Sequence, residues 1–129
     1  MEIVIRQSCM TTTEDVLPVV ENFLQSNPEI TDMFFGNDLQ LLAGVNACQA
    51  SGRTDIRLYS IDGSENGMML VKAGKAIGTS AQFPKTIGET AVEYALKVAN
   101  GETVESKTLI ASTFVDATNV DEYMKVYEK

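Results

Sequence analysis

At 129 residues, with 44% hydrophobic and 22% charged residues, the chain has the length and make-up of one globular domain able to bury a real core. Its net charge of −8, with no run of basic residues, argues against a nucleic-acid partner and an anionic membrane surface, because phosphate neutralisation needs clustered Lys and Arg. There is no histidine, and the two cysteines, Cys9 and Cys48, match no zinc or redox spacing, so His-dependent triads are excluded and neither a metal nor a cofactor is expected.

Ile3-Val4-Ile5 is a short β-branched run and reads as a first strand. The start, Met1 to Arg6, lacks a basic n-region and a long apolar stretch, so no secretory leader is expected, and no apolar run approaches the ~20 residues of a membrane span. Thr11-Thr12-Thr13 offer hydroxyl caps and Glu14-Asp15 supply first-turn acids for a helix whose Val16, Leu17, Val20, Phe23 and Leu24 share a face. Pro18 predicts a later start or a bend, and Asn27-Pro28 the stop. Ile30 to Phe35 reads as a second strand. Asp38 then opens a helix that carries a buried Cys48 thiol and closes at Gly52. Ile56 to Ile61 is a third strand, Ser64 caps a helix over Glu65 to Ala73, and Ala76 to Ala81 is a fourth strand. A long helix begins at Pro84 or Lys85, with Ile87, Ala91, Tyr94, Ala95 and Val98 as its apolar stripe. Thr108 to Val115 reads as a fifth strand, and Asn119 to Tyr127 as a short amphipathic tail. The alternation of strand and helix predicts an α/β chain, a three-layer sandwich with a parallel sheet of about five strands.

In such a sheet, ligands bind outside the carboxyl ends of the strands. Four polar signatures stand at those ends: Arg6-Gln7-Ser8, Gly36-Asn37-Asp38, Ile61-Asp62-Gly63 and Ala81-Gln82-Phe83-Pro84. The Asn37 amide can donate and accept with neighbouring hydroxyls at once, while Asp38 reads as the helix cap. A carboxylate at Asp62 can accept from adjacent sugar hydroxyls at roughly 1.5–3 kcal/mol per bond, although Asp-Gly is also a generic turn. Gln82 sits where a hinge residue would. Met10, Met68 and Met69 read as core filler.

Other functions fail on particular residues. No Gly-rich turn follows the first strand, no phosphate-cradling Gly-Lys-Ser/Thr loop occurs, and no Gly-x-Ser-x-Gly turn is present. Paired acids at the first strand end, which a phosphoacceptor would need, are missing, and no acid pair stands out for glycoside hydrolysis. Binding without chemistry is the simplest reading, so the chain is not expected to be an enzyme.

Asn37-Asp38 after Met33-Phe34-Phe35, Ser60-Ile61-Asp62-Gly63 with Gly67 downstream, the segment Gly74 to Pro84 followed by Ile87-Gly88, and the tail Asn119-Val120-Asp121-Glu122-Tyr123 together resemble the periplasmic sugar-binding proteins of the ribose-binding type. The resemblance implies a periplasmic-binding-protein-like, flavodoxin-like lobe with Asn37 and Asp62 as ligand contacts and Gln82 as a contact at the hinge. It also implies a small sugar or polar solute as ligand, a membrane permease as partner of the intact parent, and an extracytoplasmic location for that parent. The family's receptors have two lobes and roughly twice this length, so the resemblance is to a C-terminal half with weak or no sugar binding of its own. The alternative is a stand-alone flavodoxin-like regulatory or interaction module.

In intact relatives the chain crosses at Gln82 into the other lobe. Residues 83–115 are therefore expected either to re-pack on the chain's own sheet or to swap with a second copy, giving a homodimer.

Overall fold

The computed structural model describes residues 2–9 and 12–127. Its elements, in order, are α1 (Thr13–Ser26), β1 (Asp32–Phe34), α2 (Asp38–Ala50), β2 (Arg57–Asp62), α3 (Glu65–Lys72), β3 (Gly78–Ala81), α4 (Pro84–Ala99), β4 (Thr113–Asp116) and α5 (Val120–Met124). Met10 and Thr11 lie outside the described residues.

The strands form one sheet in the order β1-β2-β3-β4. β1, β2 and β3 run parallel, with Met33 opposite Leu58 and Ser60 opposite Thr79. β4 joins β3 antiparallel, with Val115 opposite Thr79. The α/β class and the flavodoxin-like lobe are therefore present, with two differences in the sheet: among the described residues four strands replace about five, and the last is antiparallel. The strand expected at Ile3-Val4-Ile5 does not form. Residues 2–9 carry no strand pairing and Ile3 is 64% exposed. A β-branched run becomes a strand only beside a neighbour that takes up its backbone groups, and none of the described strands lies next to it.

Thr12 caps α1, accepting from the Asp15 backbone N–H, so this helix starts at Thr13 and carries Pro18 inside it rather than starting later. Val16, Val20 and Leu24 recur every fourth residue and bury one stripe against α2. α2 is apolar on most sides because α1, β2 and α3 all pack on it. Two successive β-α-β units advancing in one direction place α2 and α3 on the same face of the sheet, and the two helices touch. The residues pointing to that face, Met33, Leu58, Ser60, Thr79, Ala81 and Val115, are buried. The opposite face keeps Phe34 at 66% and Phe114 at 47% exposure. Among the described residues the expected three layers are thus two, since no helix covers this second face.

α4 buries none of its side chains. Of the stripe predicted from sequence, Ile87, Ala91, Ala95 and Val98 are exposed and Tyr94 is half-buried, so it does not fold back onto the chain's own sheet, and Val92 and Leu96 beside it are exposed as well. The end of the 83–115 segment does return, because Thr113 to Val115 pair with β3 of the same chain. The predicted strand from Thr108 is shortened to these residues and Asp116. Cys9 and Cys48 are unbonded thiols, and burial pushes the Cys48 thiol up from its usual value. Met68 is core, as expected, but Met69 is exposed.

Candidate functional site

Strands β1, β2 and β3 end at one edge, and each end passes into a helix through a polar residue. Asn37 lies between β1 and α2, Asp62 ends β2, and Gln82 follows β3. The structure thus brings all three predicted residues to the same edge. Gln7 and Ser8 are exposed there on a segment with no strand, tethered by the Gln40 amide that donates to the Cys9 sulfur at 3.8 Å.

Asn37, not Asp38, is the N-cap of α2. Its Oδ1 accepts from the Gln40 backbone N–H at 2.8 Å, which commits the oxygen to the cap, while the Nδ2 amide hydrogens take no part in it. The predicted cap role of Asp38 is corrected accordingly. Asp38 occupies the first helical position and its side chain turns inward, with only 2% of the residue exposed. Oδ1 accepts from the Ser60 hydroxyl at 2.5 Å and the Thr79 hydroxyl at 2.8 Å. Oδ2 accepts from the Ser64 backbone N–H and hydroxyl, each at 2.7 Å. The carboxylate lies at the N-terminal ends of both α2 and α3, where partial positive charge stabilises it without a cation. Gly67 is the clearance for this carboxylate: a Cβ there would lie 2.1 Å from Asp38 Oδ2.

The network continues to the site. Thr79 Oγ1 accepts from the Gly63 backbone N–H at 3.1 Å, so Asp38 fixes the residue next to Asp62 through one intermediary. Gly63 has a φ of +70°, and a Cβ there would meet the Ala81 Cβ at 2.3 Å. Asp62 itself has a φ of 124°, outside the regions a non-glycine residue ordinarily occupies. Its Oδ1 accepts from the Gln82 side-chain amide at 2.8 Å, while the Gln82 backbone N–H donates to the Asp62 carbonyl at 3.1 Å. Phe83, the next residue, is left-handed (φ 53°, ψ 62°) and forms the cap position of α4. Among the described residues, the two non-glycine residues with positive φ are therefore Asp62 and the neighbour of Gln82. The arrangement presents a carboxylate and amides on a strained but anchored edge, which suits hydrogen bonding to several adjacent hydroxyls.

No protein-family model matches the chain. It is 38% identical over 91 residues to the ribose import binding protein of Salmonella typhimurium, covering 70% of this chain and 31% of that protein. The ribose import binding protein of Bacillus subtilis is 34% identical over 111 residues, covering 86% and 36%. An ABC transporter periplasmic solute binding protein from Actinobacillus succinogenes, solved with bound D-allose, superposes with a TM-score of 0.91 at 32% identity, covering 95% of this chain and 44% of that one. The chain is a partial relative of the ribose-type periplasmic sugar-binding proteins. It spans about a third of the length of the curated relatives it matches. By their names these ribose-type relatives are binding proteins rather than enzymes.

Asn37, Asp62 and Gln82 stand at one edge, but the residues beneath them escaped the sequence reading. Their signal was present: Ser60 and Thr79 are polar residues at inward-facing positions, beside the apolar Leu58 and Ala81 on the same face and near an acid at the start of a helix. Buried hydroxyls need an acceptor, and Asp38 is the nearest candidate in that topology.

Proposed function

We propose that this chain forms one wall of a sugar- or polyol-binding cleft of an ABC-type uptake receptor, with Asn37, Asp62 and Gln82 as the ligand contacts. The observation that carries the reading is the Asp62–Gln82 pair, which places a charged acceptor and a paired amide side by side on adjacent strand ends in strained backbone. A bound polyol would exchange its hydroxyls for the Gln82 donor on Asp62 and take hydrogen bonds from the Asn37 amide. The intact parent would be extracytoplasmic and would deliver its ligand to a membrane permease.

One wall gives up the second set of contacts and the closure that excludes water, so affinity of the isolated chain is weak. Calorimetric titration with pentoses and hexoses is expected to show no micromolar binding. A micromolar dissociation constant for the chain alone would overturn the one-wall reading.

A second reading, a stand-alone interaction module, is favoured by the exposed apolar side chains of α4 and of the open sheet face. A homodimer that covers α4, or that exchanges residues 83–115, would combine the two readings.

A further inference from the structure

The C-terminal segment touches Phe83 and Gly63, the latter the neighbour of the strained Asp62. Val120 is buried and anchors α5, and Lys72 of α3 pairs with Asp121 at 2.7 Å. The Tyr123 ring packs 5.7 Å from the Phe83 ring, beside Gln82. Beyond the helix, the Tyr127 hydroxyl donates to the Gly63 carbonyl at 2.9 Å, next to Asp62. Gly63 is thereby held on both sides, its N–H by Thr79 and its carbonyl by Tyr127. An exposed ion pair such as Lys72–Asp121 contributes little, so the specific constraint that this segment places on the loop is the phenol.

We propose that Tyr127 is a positioning residue for the ligand site, holding the Gly63 peptide so that Asp62 keeps the backbone conformation that aims its carboxylate at Gln82 and at a bound hydroxyl. The inference rests on the sugar-wall reading for its functional meaning, but its geometry does not. Without the phenol, the Gly63 carbonyl loses its donor and the loop is held only through the Gly63 N–H on Thr79 and the Ser64 N–H on Asp38, so Asp62 keeps its positive φ less firmly. Burial raises the phenol above its usual titration range, helped by the carboxylates of Glu65 and Asp38, so it remains a donor at neutral pH.

The test compares the wild-type chain with Tyr127→Phe by NMR, with Asp121→Asn as a control that removes the ion pair of α5 but keeps the phenol. Tyr127→Phe is expected to lower the melting temperature by only a few degrees, to alter the Asp62 HN–Hα coupling and the Gln82 side-chain amide shift, and to speed exchange of the Gly63 amide about tenfold, the factor for one ordinary hydrogen bond. Asp121→Asn should change none of these. An unchanged Asp62 coupling and Gln82 amide in Tyr127→Phe would overturn the proposal, as would equal changes in both variants. Each protein is then titrated with D-allose and myo-inositol at high concentration. A wild-type response at Asp62 and Gln82 that weakens several-fold in Tyr127→Phe supports the functional meaning. An absent wild-type response sinks the sugar-wall reading, while the ligand-free coupling still decides the role of Tyr127.

Discussion

Asp38 uses all four of its acceptor positions on Ser60, Thr79 and Ser64, and among the described residues no lysine or arginine pairs with it. Its worth lies in what its removal strands: the Ser60 and Thr79 hydroxyls are buried, and each unsatisfied polar group costs about 1–3 kcal/mol. Asp38→Ala is therefore expected to destabilise the fold by about 3–5 kcal/mol in a denaturant melt, and a loss below about 1 kcal/mol would contradict its role as the anchor of this edge. Asp38→Asn should fall between, since its amide nitrogen cannot accept from Ser64. Tyr127 gives a prediction at the opposite end of the pH scale. Its phenol is raised from the usual 10.0, first by burial and then by Glu65 and Asp38. A raised folded value means the neutral phenol is favoured by the fold. Its contribution is whole below the unfolded value and is lost as pH rises through the higher folded one. The difference in phenolate absorbance between wild type and Tyr127→Phe should thus have its midpoint above 10; a midpoint at or below that value would mean that the phenol is not held by the fold.

Elements were legible from sequence where the signal is local and the partner is in the chain. Ser64 caps α3 and Pro84 opens α4 as read, because a hydroxyl before an amphipathic run and a proline at a first helical position act within one turn. The stripe of α1 was legible for the same reason, and its face found α2. Ile3-Val4-Ile5 failed because strand formation is a property of two segments, and periodicity in one says nothing of the other. The direction of β4 failed for a related reason. Strand-helix alternation argues for parallel pairing only where a crossover returns the chain to the same end of the sheet, and α4 with residues 100–112 does not pack back to do so. At the candidate site, Asn37, Asp62 and Gln82 were readable because each sits at a strand end. The supporting layer was not, because Asp38, Ser60 and Thr79 are separated by 22 and 41 residues and meet only through the sheet register.

At the scale of the whole molecule, the open sheet face and α4 are two aspects of one imbalance. Phe34 and Phe114 lie on the face opposite α2 and α3, and Ile87, Val92, Leu96 and Val98 are exposed on a helix that buries none of its residues. Apolar surface left in water forgoes roughly 25 cal/mol per Å², and few folded chains leave contiguous patches of this kind uncovered. A net charge of −8 opposes self-association only over about a Debye length, ~8 Å at physiological salt, so contact between apolar surfaces still wins once salt screens the charge. The chain alone is expected to associate as concentration and salt rise, and size-exclusion chromatography with light scattering measures this directly. Leu96→Glu should shift the population toward monomer without lowering the melting temperature of that monomer, because the residue packs on nothing within its own chain. A clean wild-type monomer at high concentration and high salt would show that α4 needs no cover from a second copy. A Leu96→Glu monomer that melts earlier would show instead that α4 packs within its own chain in solution.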